Sequence, residues 1–474
     1  MTSKWQPARI IPVSGINSAI EAEQRATSAL LAVLGIVRPF SKALLSQYGA
    51  SNADRAQVEC FLEVSFKDSS GKMVRPDGLI RVTHGRRAPW IALVEVKTGT
   101  ACLNAEQINA YWDIARAEGY DAVITVSNEI APSPGVHPTD GLKSRANSKV
   151  QIHHLSWTRL LVTAVKEKTH RGIDDPEQDW ILGELIRYLE HDSSGAMEFE
   201  DMGPQWNGVR DEARHGTLNA RSSEVIETAQ RWDQLLGFVS LRLGADIGED
   251  VTEVIPRAQQ LDPKLRTREF VEQLCNDGAL AGTLRIPNTI GDLEVKADLK
   301  ARQIVVSVAF DAPSDKRAKG QVGWLLRQLR DCSGRLVVES YPKNSRNGIA
   351  SRLDGAREDS SLLVAPSGKP ASRFRLIARS EMGLPRKSGK RPGFVQSVAD
   401  AVESFYGEIL QNLTAYQARA PQLKHQTVED VEEVILPTVE LIEPVLAAAV
   451  SPESEEDESA DDTGKAVGSW STTL

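Results

Sequence analysis

Cysteine is scarce in this chain, and the few that occur do not pair. Cys60, Cys102, Cys275 and Cys332 are the only four in 474 residues, and no two have CxxC spacing. That argues against a zinc ribbon, an iron–sulfur cluster or a disulfide framework, and fits a reducing, cytoplasmic compartment. Long apolar runs are also missing: none reaches the roughly 20 residues of a membrane span. Residues Met1 to Pro12 show no secretion signature, so neither export nor a membrane partner is expected. Two common enzyme classes lack their signatures. Ser70-Gly-Lys72 and Ser388-Gly-Lys390 have neither the upstream glycine nor the following Ser or Thr of a phosphate loop. No G-x-S-x-G occurs, so a serine-type hydrolase has no support. His153 and His154 are neighbours in a strand-like run and face opposite sides, which prevents them from chelating one metal together.

Net charge, at -9, is unevenly placed. From Gln426 onward there are 13 acidic residues and one lysine, a net of -12, which leaves the preceding body at +3. A mildly basic body is compatible with a polyanionic partner, and the acidic tail has too little apolar surface to fold.

The length implies roughly two to four domains. The periodicity predicts a helix over about 17–34, with Ser14 or Asn17 as its cap and Pro39 beyond its end. Strands follow at 60–66, 78–82 and 90–96, then a helix over 105–118 stopped by Gly119, then strands at 122–126 and 150–155. The three early strands suit an antiparallel meander. The fourth needs a helical crossover and so lies parallel to a neighbour. Residues 161–245 read as helical and 246–425 as a mixed α/β region. The fold class is therefore α/β, divided at 1–160, 161–245, 246–425 and a tail at 426–474.

The chemistry concentrates in Arg75-Pro-Asp-Gly78 and Leu93-Val-Glu-Val-Lys97. Asp77 opens one strand and Glu95 stands near the end of the next, so a hairpin brings the two carboxylates together. Side chains two apart on a strand share a face, which sets Lys97 beside Glu95 and turns Val96 into the core. Two carboxylates and a backbone carbonyl, that of Val96, are hard oxygen donors suited to Mg2+. An amine beside them can hold a water nucleophile and offset developing negative charge. This is the equipment of metal-assisted phosphodiester hydrolysis.

Pro76-Asp77, the strand-length spacer and Glu95-Val-Lys97 resemble the signature of the PD-(D/E)XK nuclease superfamily. The α-β-β-β-α-β order is similar to its restriction-endonuclease-like core. Gln107-Ile-Asn-Ala-Tyr111 resembles the Q-x-x-x-Y motif of the RecB-like branch. Its two polar residues share one helix face and serve to contact the substrate strand or brace the site. The resemblance covers about residues 15–160 and implies a nuclease that uses Mg2+, or Mn2+, on nucleic acid, DNA in the first place.

The first helix carries a related signal. At about 100° per residue, Ile16, Leu30, Leu34 and Val37 fall on one stripe, and Glu23 lies within it while Glu21 lies opposite. A carboxylate on an apolar stripe needs a reason. The superfamily resemblance implies that Glu23 completes the metal shell; an ion pair with Arg25 or Arg38 is the alternative. Glu63 reads as a residue on the solvated face of the first strand. Farther on, Arg373, Arg375, Arg379, Arg386, Lys387, Lys390 and Arg391 read as a basic loop able to bind phosphates. The competing functional reading is a nuclease fold that binds nucleic acid or protein without cutting.

Overall fold

A serine cap and an apolar stripe fix the first helix. The computed structural model describes residues 10–11, 18–52, 55–68, 70–131, 136–143, 148–196, 199, 201–383 and 393–418. Helix α1 (Ala19–Ile36) starts at Ser18, whose Oγ accepts the Glu21 amide at 3.2 Å. The expected caps Ser14 and Asn17 lie outside the described residues. Helix α2 (Arg38–Leu45) follows at once, with Pro39 in its first turn, where a missing N–H costs nothing.

Next come β1 (Gln57–Leu62), β2 (Phe66–Lys67), β3 (Met73–Val74), β4 (Gly78–Thr83) and β5 (Trp90–Val96). After them stand α3 (Ala105–Glu118), β6 (Ala122–Ser127) and β7 (Gln151–Ser156). The larger sheet has the order β1-β4-β5-β6-β7. Its pairs β1–β4 and β4–β5 are antiparallel, and β5–β6 and β6–β7 are parallel. The run expected as one strand over 60–66 is broken at Glu63, which adopts φ 53°. Phe66 and Lys67 then pair with Met73 and Val74 in a separate two-stranded ribbon.

Both faces of this sheet are covered, as its near-continuous apolar strands require. Ile80, Val82, Ala92, Val94, Val96, Ile124 and Val126 pack against α1 and α2, and against α4 (Trp157–Val165) and α5 (Pro176–Leu189). Leu79, Leu93 and Val123 face the other way, onto Ile108, Tyr111, Trp112 and Ala115 of α3. Gly78 permits the tight seat of β4 under α1, because a Cβ there would lie 2.4 Å from Leu31 Cδ1.

The helices expected as a region of their own divide between two cores. Helices α4 and α5 belong to the first sheet, while α6 (Trp206–His215) and α7 (Ser223–Ile247) belong to a second core. That core continues through β8 (Thr252–Glu253), α8 (Arg257–Leu261), α9 (Pro263–Asp277), β9 (Ala279–Arg285), β10 (Leu293–Asp298) and β11 (Gln303–Asp311). It ends with α10 (Ala318–Gln328), β12 (Val337–Pro342), β13 (Ile349–Arg352), α11 (Leu353–Glu358), β14 (Ala371–Glu381) and α12 (Phe394–Glu408). Its seven strands form an antiparallel sheet in the order β13-β12-β14-β11-β10-β9-β8. The chain is thus mixed α/β. Among the described residues, no single helix is long and apolar enough to cross a membrane.

Candidate active site

The β4–β5 hairpin register brings the lead-in of β4 to the end of β5. Gly78 lies opposite Val94, and Asp77 Oδ2 accepts the Val96 amide at 2.8 Å. Glu95 has the same orientation as Leu93, toward α3, and is 1% exposed. Lys97 lies just beyond the strand, where its amide bonds to the Val126 carbonyl at 2.8 Å. Its ammonium donates to Val96 O at 3.0 Å and Glu23 Oε1 at 3.1 Å, and stands 2.7 Å from Glu95 Oε1.

Among the described residues, neither Glu95 oxygen has a hydrogen bond of normal geometry. The Lys97 contact is short but poorly directed. A buried carboxylate in this state pays for its desolvation. Burial, followed by repulsion from Asp77, raises the Glu95 pKa to about 7, while Lys97 and the Tyr111 hydroxyl pull the other way. Burial acts against the Lys97 charge, but Glu95 and Glu23 outweigh it and hold its pKa above the ordinary lysine value. Lys97 is therefore an ammonium, suited to holding and stabilising negative charge rather than to taking a proton.

The motif on α3 forms a brace. Asn104 caps the helix through the Glu106 and Gln107 amides. Gln107 Nε2 donates to the Tyr111 hydroxyl at 2.7 Å, and that hydroxyl donates to the Arg75 carbonyl at 3.3 Å. Burial and the Glu95 charge push the Tyr111 pKa far up, so it keeps its proton. Tyr111 is 2% exposed and holds the approach to Asp77 in place.

Two sequence-assigned metal donors are engaged elsewhere. Glu23 and the Val96 carbonyl both accept from Lys97, so Glu23 joins the site through an ion pair with that ammonium. Among the described residues, no group of three or more His, Cys, Asp or Glu side chains is placed to share a metal ion. The available donor set is Asp77 with Glu95. Two carboxylates fit Mg2+, which keeps several of its waters, and do not fit an all-protein cage. The buried Glu95 carboxylate, ion-paired with Lys97 on one oxygen, is the feature a cation would satisfy further.

Sequence reasoning missed a polar row beside this site. Glu95, Thr125 and His154 are register neighbours across β5, β6 and β7. His154 Nε2 lies 2.7 Å from the Glu129 carbonyl, an acceptor, so Nε2 carries the proton. Its Nδ1 then accepts from the Thr125 hydroxyl at 2.9 Å. His137 Nδ1 accepts the Thr139 amide at 3.0 Å, so its Nε2 donates to Thr125 Oγ1 at 2.8 Å. The Thr125 hydroxyl also lies 3.3 Å from the His153 carbonyl, a second acceptor for its proton, and burial favours the neutral form of both rings. Burial, then the neighbouring His154, holds His137 down to about 3, and burial holds His154 at about 4. Only adjacency in one strand was visible for His153 and His154; the partner, His137, comes from a loop. His153 packs instead on Tyr48, with ring centroids 4.4 Å apart.

These rings make stability pH-dependent in a definite direction. Below about pH 6.5 the unfolded chain takes up protons that the folded rings refuse. Stability is therefore complete above 6.5 and falls by about 1.4 kcal/mol per pH unit per histidine, down to about pH 4 for His154 and about pH 3 for His137. The variant His154→Gln should show a shallower fall in melting temperature over that range than the parent. Parallel curves would mean that the rings are not neutral in the fold.

The basic segment is not a loop where it is described. Arg373, Arg375 and Arg379 lie on β14, whose Phe374 and Leu376 alternate into the core. The Arg375 guanidinium is ion-paired with Glu294 and bonded to Ser307. Arg373 stacks over Tyr341 at 4.4 Å. Asp298, Asp311, Glu339 and Glu381 alternate to the same sheet face, which offsets its cations. Arg386, Lys387, Lys390 and Arg391 lie outside the described residues.

Comparison of the chain with protein-family models, with curated proteins and with solved structures gives no match.

Proposed function

We propose that this chain is a metal-dependent nuclease of the PD-(D/E)XK type that hydrolyses phosphodiesters, with DNA as its substrate. The observation that carries the reading is the buried, undirected Glu95 carboxylate beside Asp77 and under the Lys97 ammonium. The meander followed by parallel β6 and β7 supports it, as does the Gln107–Tyr111 brace on the crossover helix. Bound Mg2+ or Mn2+ would polarise the phosphate and lower the pKa of an attached water. Asp77 and Glu95 are the residues that would hold it. Lys97 orients the attacking water and offsets charge on the phosphorane-like transition state. Gln107 and Tyr111 fix the Arg75–Asp77 lead-in, so that the first carboxylate stays at the strand end.

A second reading has one observation in its favour. Lys97 takes up both Glu23 and the Val96 carbonyl, as an ammonium that has replaced a metal would. On that reading the fold binds nucleic acid without cutting it. The two are separated by incubating supercoiled plasmid, linear duplex, single-stranded DNA and structured RNA with Mg2+ or Mn2+. The nuclease cleaves at least one of them, and Asp77→Asn abolishes both cleavage and calorimetric metal binding. Metal-independent cleavage, or none by a metal-loaded parent protein, would reject it.

A further inference from the structure

The mouth of the site contains a second, unassigned group. Arg75 lies two residues before Asp77, and its carbonyl is the acceptor for Tyr111. Its guanidinium turns outward, with its side chain 58% exposed, and pairs with the half-exposed Glu63 carboxylate. Glu63 has positive φ, 53°, an uncommon conformation for a residue with a side chain. Two bonds keep it there. Its amide donates to the Asp77 carbonyl at 3.0 Å, and its own carbonyl accepts Arg75 Nε at 3.3 Å. Uncommon backbone held this firmly tends to mark functional sites. Here it ends β1 and aims a carboxylate at the one cationic side chain of the Arg75–Gly78 lead-in.

We propose that Arg75 is the phosphate clamp of the site and that Glu63 keeps it in reserve. A phosphodiester of the incoming strand replaces the carboxylate on the same guanidinium. Arginine suits this role because its planar fork recognises carboxylate and phosphate in the same bidentate way. The link through Tyr111 then couples strand capture to the position of Asp77. This rests on the nuclease reading above, but its test needs no cleavage.

The test is fluorescence anisotropy of a labelled oligonucleotide, single-stranded and duplex, in EDTA across a salt series. Arg75→Ala should weaken binding about tenfold and reduce the slope of log K against log salt by about one ion. Glu63→Gln should tighten binding several-fold, because it removes the competitor while the backbone bonds remain. Melting temperatures near the parent's show that both variants are folded. If Glu63→Gln binds no tighter, or Arg75→Ala keeps the parent's affinity and salt slope, the clamp is wrong and the nuclease reading stands. If the parent binds no strand at all, both fall together.

Discussion

Lys97→Ala is expected to lower the rate of metal-dependent cleavage by about 10²–10³-fold, the usual loss when one preorganised charge is removed from a transition state. The geometry gives a reason for a large effect. One ammonium serves Glu23, Glu95 and the Val96 carbonyl at 3.1, 2.7 and 3.0 Å. Without it, Glu95 is a buried carboxylate with no counter-charge, and its pKa, already about 7, must rise further. Lys97→Arg should not rescue the rate, since a guanidinium is too broad for a position shared by three oxygens. The measurement is single-turnover cleavage at saturating Mg2+. A loss under threefold would remove Lys97 from the chemistry.

Trp157→Ala is expected to cost about 3–5 kcal/mol of folding stability, the range for deleting a buried indole. Trp157 is 1% exposed in the core beneath the first sheet. Its Nε1 also donates to the Lys97 carbonyl at 2.8 Å, tying α4 to the residue that carries the charge. Trp157→Phe keeps most of the packing and loses that bond. Its stability loss should be near 1 kcal/mol, with a disproportionate fall in cleavage rate at a temperature where it remains folded. Urea denaturation and initial rates check the two halves; equal losses in both variants would show that the bond to Lys97 has no special role.

Much of the first sheet was legible in the sequence because its signals are local. Trp90–Val96 and Ala122–Ser127 are apolar runs bounded by turn residues, and the helix over 105–118 has a stop at Gly119. Asp77 and Glu95 follow from the hairpin that joins their strands. Other features depend on contacts across long separations. Glu23 meets Lys97 across 74 residues, and His137 joins Thr125 from a loop with no periodicity. Strand β14 was misread because arginines at alternate positions masked Phe374 and Leu376 between them. The break at Glu63 was hidden because nothing in an alternating run announces a left-handed residue.

The hairpin that builds the site also offers a place to work on it. The turn between β4 and β5 is at the far end of β5 from Lys97, seven strand residues away, or roughly 20 Å. Its exposed Arg86 and Arg87 are surface residues, and such tips accept insertions well. A dye or an affinity tag spliced there would report on the molecule without crowding the carboxylates, and immobilised protein would keep its open end toward solution.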